Sequence, residues 1–229
     1  MKQFTLYLTI ALFLSTEIIS QSLSASLMLG SPRGEFEQAH PNKGYGLQVQ
    51  AMLKNPDRYS PIGIGIDAGF LFYSATTEYR PFSNTIPDIG VEVERMNSMA
   101  NAHLVFQISP MMGMVRPYLE GYGGFAYYFT KTDVSSDYND EVIFSDITYD
   151  DFAFSYGAGG GLKILLSDPE YDDNDIFLDL KVRYLNGSEA EYLTKDDVEV
   201  TRSTGNVKYY PRKSKTDMVT FSIGVEVRL

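Results

Sequence analysis

Apolar and polar positions alternate along most of this chain, in segments of about ten residues separated by polar or proline-bearing stretches. The last segment is the most regular. Val219, Phe221, Ile223, Val225, Val227 and Leu229 fall on one face of an extended strand, and Met218, Thr220, Ser222, Gly224, Glu226 and Arg228 on the other, because successive strand side chains point to opposite sides. Leu23, Ala25, Leu27 and Leu29 divide in the same way from Ser24, Ser26 and Met28, and Tyr45, Leu47, Val49 and Ala51 from Gly46, Gln48 and Gln50. Ile62, Ile64, Ile66, Ala68, Phe70 and Phe72 oppose Gly63, Gly65, Asp67 and Gly69, while Ala102, Leu104, Phe106 and Ile108 oppose Asn101, His103, Val105 and Gln107. Leu119, Phe125, Tyr127 and Phe129 oppose Tyr118, Glu120, Tyr122 and Ala126, with Gly121, Gly123 and Gly124 among them. Phe152, Phe154, Tyr156, Leu162 and Ile164 oppose Ser155, Gly157, Gly159, Gly161 and Lys163, and Ile176, Leu178, Leu180, Val182 and Tyr184 oppose Phe177, Asp179, Lys181 and Arg183. The pattern predicts an all-β chain of about eight strands.

The connections alternate in length. Residues 30–43, 74–98, 131–151 and 186–215 read as long polar loops, and the stretches near Asn55, Gly113 and Asp168 read as short turns. A soluble sandwich has no reason to sort its loops by parity. A membrane barrel does, with short turns on the periplasmic side and long loops outside the cell. The closing segment exceeds the usual ~5–6 residues of a strand and matches the ~9–11 that a tilted strand needs to cross a bilayer. Its wholly apolar face has a partner in lipid. Only helices and closed barrels satisfy their backbone groups in hydrocarbon, and beyond the N-terminus no stretch reads as a spanning helix. The expectation is therefore an eight-stranded antiparallel up-and-down transmembrane barrel over residues 21–229.

Residues 1–20 read as a signal peptide: Met1-Lys2-Gln3 is a short basic start, Phe4 to Leu14 is almost continuously apolar, and cleavage falls near Ser20 and Gln21. An apolar run this short falls below the ~20 residues of an anchor helix. Composition adds limits. With no Cys among 229 residues, disulfides, thiolate metal sites and thiol nucleophiles are excluded. A net charge of -11 argues against a nucleic-acid partner, which requires concentrated Lys and Arg. The 17 Tyr, 14 Phe and 19 Gly suit aromatic girdles and small inward residues.

On these features the chain resembles the small eight-stranded outer-membrane barrels of Gram-negative bacteria, the OmpA/OmpX-like porin-family type. The matching elements are the leader, the alternation from Leu23 to Leu229, the loop parity and the C-terminal strand Phe221 to Leu229, although that family commonly ends in Phe where this chain has Leu. The resemblance implies export to the outer membrane, insertion by the barrel-assembly machinery, and contact with outer-membrane lipid and lipopolysaccharide. It also implies a non-enzymatic envelope-structural or surface-interaction role, with protein partners met through the outer loops. A lipid-modifying enzyme and an accessory subunit of a secretion or gliding machinery are the competing readings.

The inward face carries the chemistry. Gln48, Gln50, Asp67, His103, Gln107, Glu120, Tyr122, Lys163, Asp179, Lys181, Arg183, Glu226 and Arg228 are expected to face one lumen. An eight-stranded barrel is just wide enough for its side chains to fill it, and buried charges must be paired. Four acids against four bases predict a salt-bridged plug rather than a pore. His103 suggests a catalytic role only if a nucleophile and an acid converge on it; no serine partner is evident from sequence, so a structural histidine is expected and no catalytic residue is assigned. The acidic run from Asp133 to Asp151 lacks the spacing of a calcium loop, and neither a metal nor a cofactor is expected. Asp172, Asp173 and Asp175 on a short turn, and Lys195, Arg202, Lys208, Arg212, Lys213 and Lys215 in the last loop, read as solvated charge clusters.

Overall fold

The computed structural model describes residues 21–83, 86–110, 113–136, 142–167, 174–194, 197–200 and 207–229. The expected signal peptide lies outside them. The described chain comprises β1 (Ser22–Pro32), the helix α1 (Gly34–Ala39), β2 (Gly44–Lys54), β3 (Ile62–Ser83), β4 (Ile86–Ile108), β5 (Val115–Ser136), β6 (Val142–Leu165), β7 (Ile176–Gly187), β8 (Glu189–Tyr192), β9 (Val198–Val200), β10 (Val207–Tyr209), β11 (Arg212–Lys215) and β12 (Met218–Arg228).

Eight of these strands close on themselves in the order β1-β12-β7-β6-β5-β4-β3-β2. Every neighbour is antiparallel, and the seam pairs the first strand with the last, from Ser22 opposite Arg228 to Pro32 opposite Met218. Closure leaves the cylinder itself no free edge, the weak point of any open sheet. The alternation read from sequence is realised strand by strand. In β1, Ser22, Ser24, Ser26 and Met28 are buried, while Leu23, Leu27 and Leu29 are exposed. A strand of 11 residues such as β1, tilted at about 40°, covers roughly 28 Å along the barrel axis.

Two stretches expected as loops are ordered strand instead. β3 and β4 continue through residues 74–98, paired from Ser74 opposite Asn97 to Ser83 opposite Ile86. β5 and β6 continue through most of residues 131–151. These four strands are 22, 23, 22 and 24 residues long, about twice the length of β1. They rise past the cylinder as a four-stranded sheet, since β4 and β5 stay in register up to Val91 opposite Ser136. Alternation misses them because the side chains they bury, such as Arg95, Asn97 and Thr132, are polar, so no apolar face marks the strand period. The last long connection likewise carries two hairpins, β8 with β11 and β9 with β10.

Outside, the cylinder is greasy on all sides. Leu27, Leu47, Ile66, Leu104, Phe125, Phe154, Val182 and Ile223, one from each barrel strand, all show large exposed side chains, up to 64% for Leu27. Aromatic rings gather at the long-hairpin end of this belt. Tyr127 packs on Phe152 at 4.6 Å and on Phe129 at 5.3 Å, and Tyr45 on Phe72 at 5.6 Å. Immediately beyond Phe152 the chain turns acidic with Asp150 and Asp151.

Candidate functional site

Inside, the lumen is layered, and its lower half, toward the short turns, is ionic. The register explains how. Asp67 stands directly opposite His103, His103 opposite Gly124, and Gly124 opposite Ser155. Any side chain on Gly124 would collide with the backbone of Ala102 and His103, so the gap lets the imidazole reach across one strand. His103 Nδ1 lies 3.0 Å from Asp67 Oδ1 and its Nε2 lies 2.5 Å from Ser155 Oγ. This is the serine partner that sequence alone left unidentified. Two conditions would have found it: in-register pairing of β4, β5 and β6, and a glycine between His and Ser.

Arg183 is the centre of the next layer. It faces Glu120 across Gly159, where a Cβ would sit 2.8 Å from the Arg183 Cγ. Its guanidinium donates to Glu120 and to the Asp67 oxygen that His103 leaves free, lies 4.7 Å from the Tyr122 ring centroid, and reaches Gln50 Oε1 at 3.4 Å. Gln48 Nε2 donates to Asp67 Oδ2 at 2.6 Å, and Lys181 Nζ donates to Gln50 Oε1. Nearer the short turns, Lys163 Nζ lies 2.6 Å from Glu226 Oε2 and 3.0 Å from Gln107 Oε1, Lys181 lies 3.4 Å from Asp179, and the Tyr118 hydroxyl donates to Asp179 at 2.7 Å. The bottom is closed by Phe177, fully buried, with Arg116 and Arg228 over its ring at 4.5 and 5.0 Å.

Every expected inward residue from Gln48 to Glu226 is thus buried in the lumen, and Arg228 sits at its lower mouth with Nε 3.3 Å from Glu226 Oε1. A desolvated charge is tolerated only when paired and hydrogen-bonded, and each of the four lumenal carboxylates, Asp67, Glu120, Asp179 and Glu226, has a cation against it.

The upper half is aromatic. Leu71, Met99, Met28, Met218 and Leu185 form a floor above the ionic layers, and Tyr73, Tyr128 and Tyr192 stand on it. Into this cup α1 drops Phe36, which is completely buried with ring centroids 5.4, 5.7 and 5.3 Å from Tyr73, Tyr128 and Tyr192. Gly34, at φ 60, allows the turn that starts the helix. Arg33 N–H donates to the Asp217 carbonyl at 2.9 Å, and the Lys215 N–H donates to Glu35 at 3.1 Å, so the plug is tied to the last connection. In sequence this segment shows only Phe36 and Ala39 as apolar residues between prolines, too little for a helical period.

His40 ends the plug. Its ring packs against Phe36, Tyr73 and Tyr192 at 5.4, 5.0 and 5.1 Å. Burial lowers its pKa to about 4, with the Asp197 carboxylate opposing and Arg212 reinforcing the shift. Beside it, Arg212 Nε lies 2.9 and 3.1 Å from the two Asp197 oxygens; burial pushes the Asp197 carboxyl up, but two hydrogen bonds from Thr194 and the Arg212 guanidinium outweigh it and hold the group below the usual carboxylate range. Among the described residues no group of three His, Asp or Glu side chains is placed to hold a metal ion.

No protein-family model matches the sequence, and a search of curated proteins returns no match. Solved structures similar to the chain include Neisserial surface protein A, at 13% identity and a TM-score of 0.41 over 91% of this chain and 96% of that one. The N-terminal β-barrel domain of Pseudomonas aeruginosa OprF matches at 11% and 0.41, covering 90% and 98%. Ail, the attachment invasion locus protein of Yersinia pestis, matches at 14% and 0.43, covering 91% and 97%.

Proposed function

We propose that this chain is an integral protein of a bacterial outer membrane, exported by its first 20 residues, that does not conduct and acts through the end carrying the long hairpins. The role is non-enzymatic: it stabilises the envelope or makes contacts at the cell surface. One observation carries the reading: a closed cylinder whose outside is an unbroken apolar belt and whose inside is full of paired charges and packed rings. A water-soluble monomer rarely exposes more than a few hundred Å² of contiguous apolar surface; lipid removes that cost. The aromatic band followed by Asp150 and Asp151 supports the long-hairpin end as a membrane boundary. Lipid and lipopolysaccharide are then its neighbours, and the barrel-assembly machinery inserts it.

The Asp67, His103 and Ser155 array has the order of a nucleophilic triad and raises the enzyme reading. Access opposes it. Ser155 is fully buried, His103 and Asp67 nearly so, and Arg183 occupies the space beside them. A nucleophile must meet its substrate; this one meets His103 and has no exposed surface. A hydrogen-bonded structural clamp between three strands is the function the geometry supports.

The test is twofold. Unboiled protein from an outer-membrane fraction should migrate differently from boiled protein on a detergent gel, and planar bilayers should show very low conductance. A freely water-soluble monomer would sink the membrane reading, and a stable channel of nanosiemens size would sink the filled lumen.

A further inference from the structure

The plug depends on two rings one helical turn apart. α1 has six residues, and Arg33 at its N-cap makes no capping side-chain hydrogen bond; a helix this short does not persist in water alone. Phe36 and His40 carry its burial, and the His40 N–H donates to the Phe36 carbonyl at 2.8 Å, so neither can leave without loosening the other. The wall around His40 suits only a neutral ring. Its Nε2 is buried with no hydrogen-bond partner among the described residues. An imidazolium has two N–H donors, and a charge taken into such a wall unpaired is disfavoured. The groups that face the ring are Phe36 of α1, Tyr73 of β3, Tyr192 of β8 and, from the last connection, Asp197 and Arg212. Phenols do not titrate in acid, and Asp197, held by Arg212 and Thr194, stays below the usual carboxylate range. Beside His40 lies a cavity of about 270 Å³, lined by polar Gln38, Asn42, Ser74, Thr76 and Thr194.

We infer that His40 is a proton-operated latch: once protonated it leaves the aromatic cup for the adjoining polar cavity, α1 unwinds, and Phe36 comes out with it, opening the upper lumen to the long-hairpin side. The direction is fixed by burial. The closed form holds the His40 pKa at about 4, against 6.5 for the free side chain, so the open form takes up the proton more readily. The ratio of open to closed then rises about a hundredfold between about pH 7 and about pH 4. Opening uncovers Tyr73, Tyr128 and Tyr192 and makes no pore, because the ionic half below is contributed by other residues and stays in place. The inference rests on the reading that the long-hairpin end faces outward, where the medium sets the pH.

The experiment uses the full barrel folded in detergent and exploits a chain without cysteine. Met99→Cys puts one thiol in the aromatic half and Val105→Cys one in the ionic half, both at sites with no exposed surface. Gln38→Cys, at an exposed site, supplies the intrinsic rate at each pH. Modification by a dipyridyl disulfide, a reagent active in acid as well as at neutral pH, is read relative to that exposed thiol. The relative rate for Met99→Cys should rise about a hundredfold from about pH 7 to about pH 4, while Val105→Cys stays slow. Adding His40→Phe to Met99→Cys should remove the rise, and His40→Leu serves as a second neutral variant. Glu35→Gln keeps the acceptor for the Lys215 N–H without its titration and should leave the rise intact. A flat rate for Met99→Cys, an equal rise in both His40 variants, loss of the rise in Glu35→Gln, or parallel acceleration of Val105→Cys would overturn the latch. Heat-modifiable migration of the same samples tests the barrel itself, so failure of the latch is read separately from failure of the membrane reading.

Discussion

The two halves of the lumen are filled by opposite means. Below, Arg183, Lys163 and Lys181 are locked against Asp67, Glu120, Asp179 and Glu226; above, Phe36 and three tyrosines pack over Leu71 and Met99. The lower half is contributed by the barrel strands alone, whereas the upper half needs a loop to fold back into it. The difference teaches where each half is vulnerable. An ionic layer fails when one partner is removed, since the survivor is stranded in a low dielectric. An aromatic layer fails by leaving a void, at a cost set by how far its neighbours can close in.

The comparison breaks most sharply at Arg183. Arg183→Met should lower stability by about 3–5 kcal/mol, because Asp67 and Glu120 then lose their shared cation; urea unfolding of the detergent-folded barrel measures it. Adding Asp67→Asn and Glu120→Gln to that variant should restore much of the loss, and failure to do so would mean that shape rather than charge governs the layer. Phe36→Ala should cost about 3–4 kcal/mol in the same assay, with faster proteolysis near residues 33–42. It should leave bilayer conductance very low, because the lower half remains sealed.

A gentler probe is pH. The His40 pKa lies at about 4 in the folded protein, against 6.5 for the free side chain. The unfolded or unplugged state therefore takes up the proton more readily. The contribution of the buried ring is fully present above about pH 6.5 and is lost as pH falls toward 4. Hydrogen exchange of residues 34–40 should accelerate over that window, and His40→Phe should flatten the response. The smallest effect is expected at Ser155. Ser155→Ala should cost about 1 kcal/mol, the worth of one hydrogen bond, and a fluorophosphonate probe should label neither the native protein nor the variant. Labelling of Ser155 in the folded barrel would revive the enzyme reading.

The inward list was legible because period-two alternation needs no knowledge of partners: Asp67, Glu120, Lys163, Asp179, Lys181 and Arg183 are inward wherever their strands run. The near balance of charge among them already implied pairing. Which acid meets which base was not legible, because pairing depends on stagger between strands, and stagger is a property of closure. Glycines show the point. Gly124 and Gly159 looked like generic small residues, yet each lies between two partners and lets them touch across an intervening strand. The union of His103 with Ser155, 52 residues apart, depends on that geometry.

By itself, then, the order of residues determined the number of barrel strands, the face each of their side chains takes, the apolar outside and the ionic inside, since these follow from local pleat and the cost of burying charge. Tertiary structure alone decided that residues 74–98 and most of 131–151 continue as sheet, that Phe36 seals the upper lumen, and that His40 borders a cavity. Those outcomes arise from contacts between segments distant in sequence, and a polar hairpin or a six-residue helix leaves no periodic trace from which such contacts can be read.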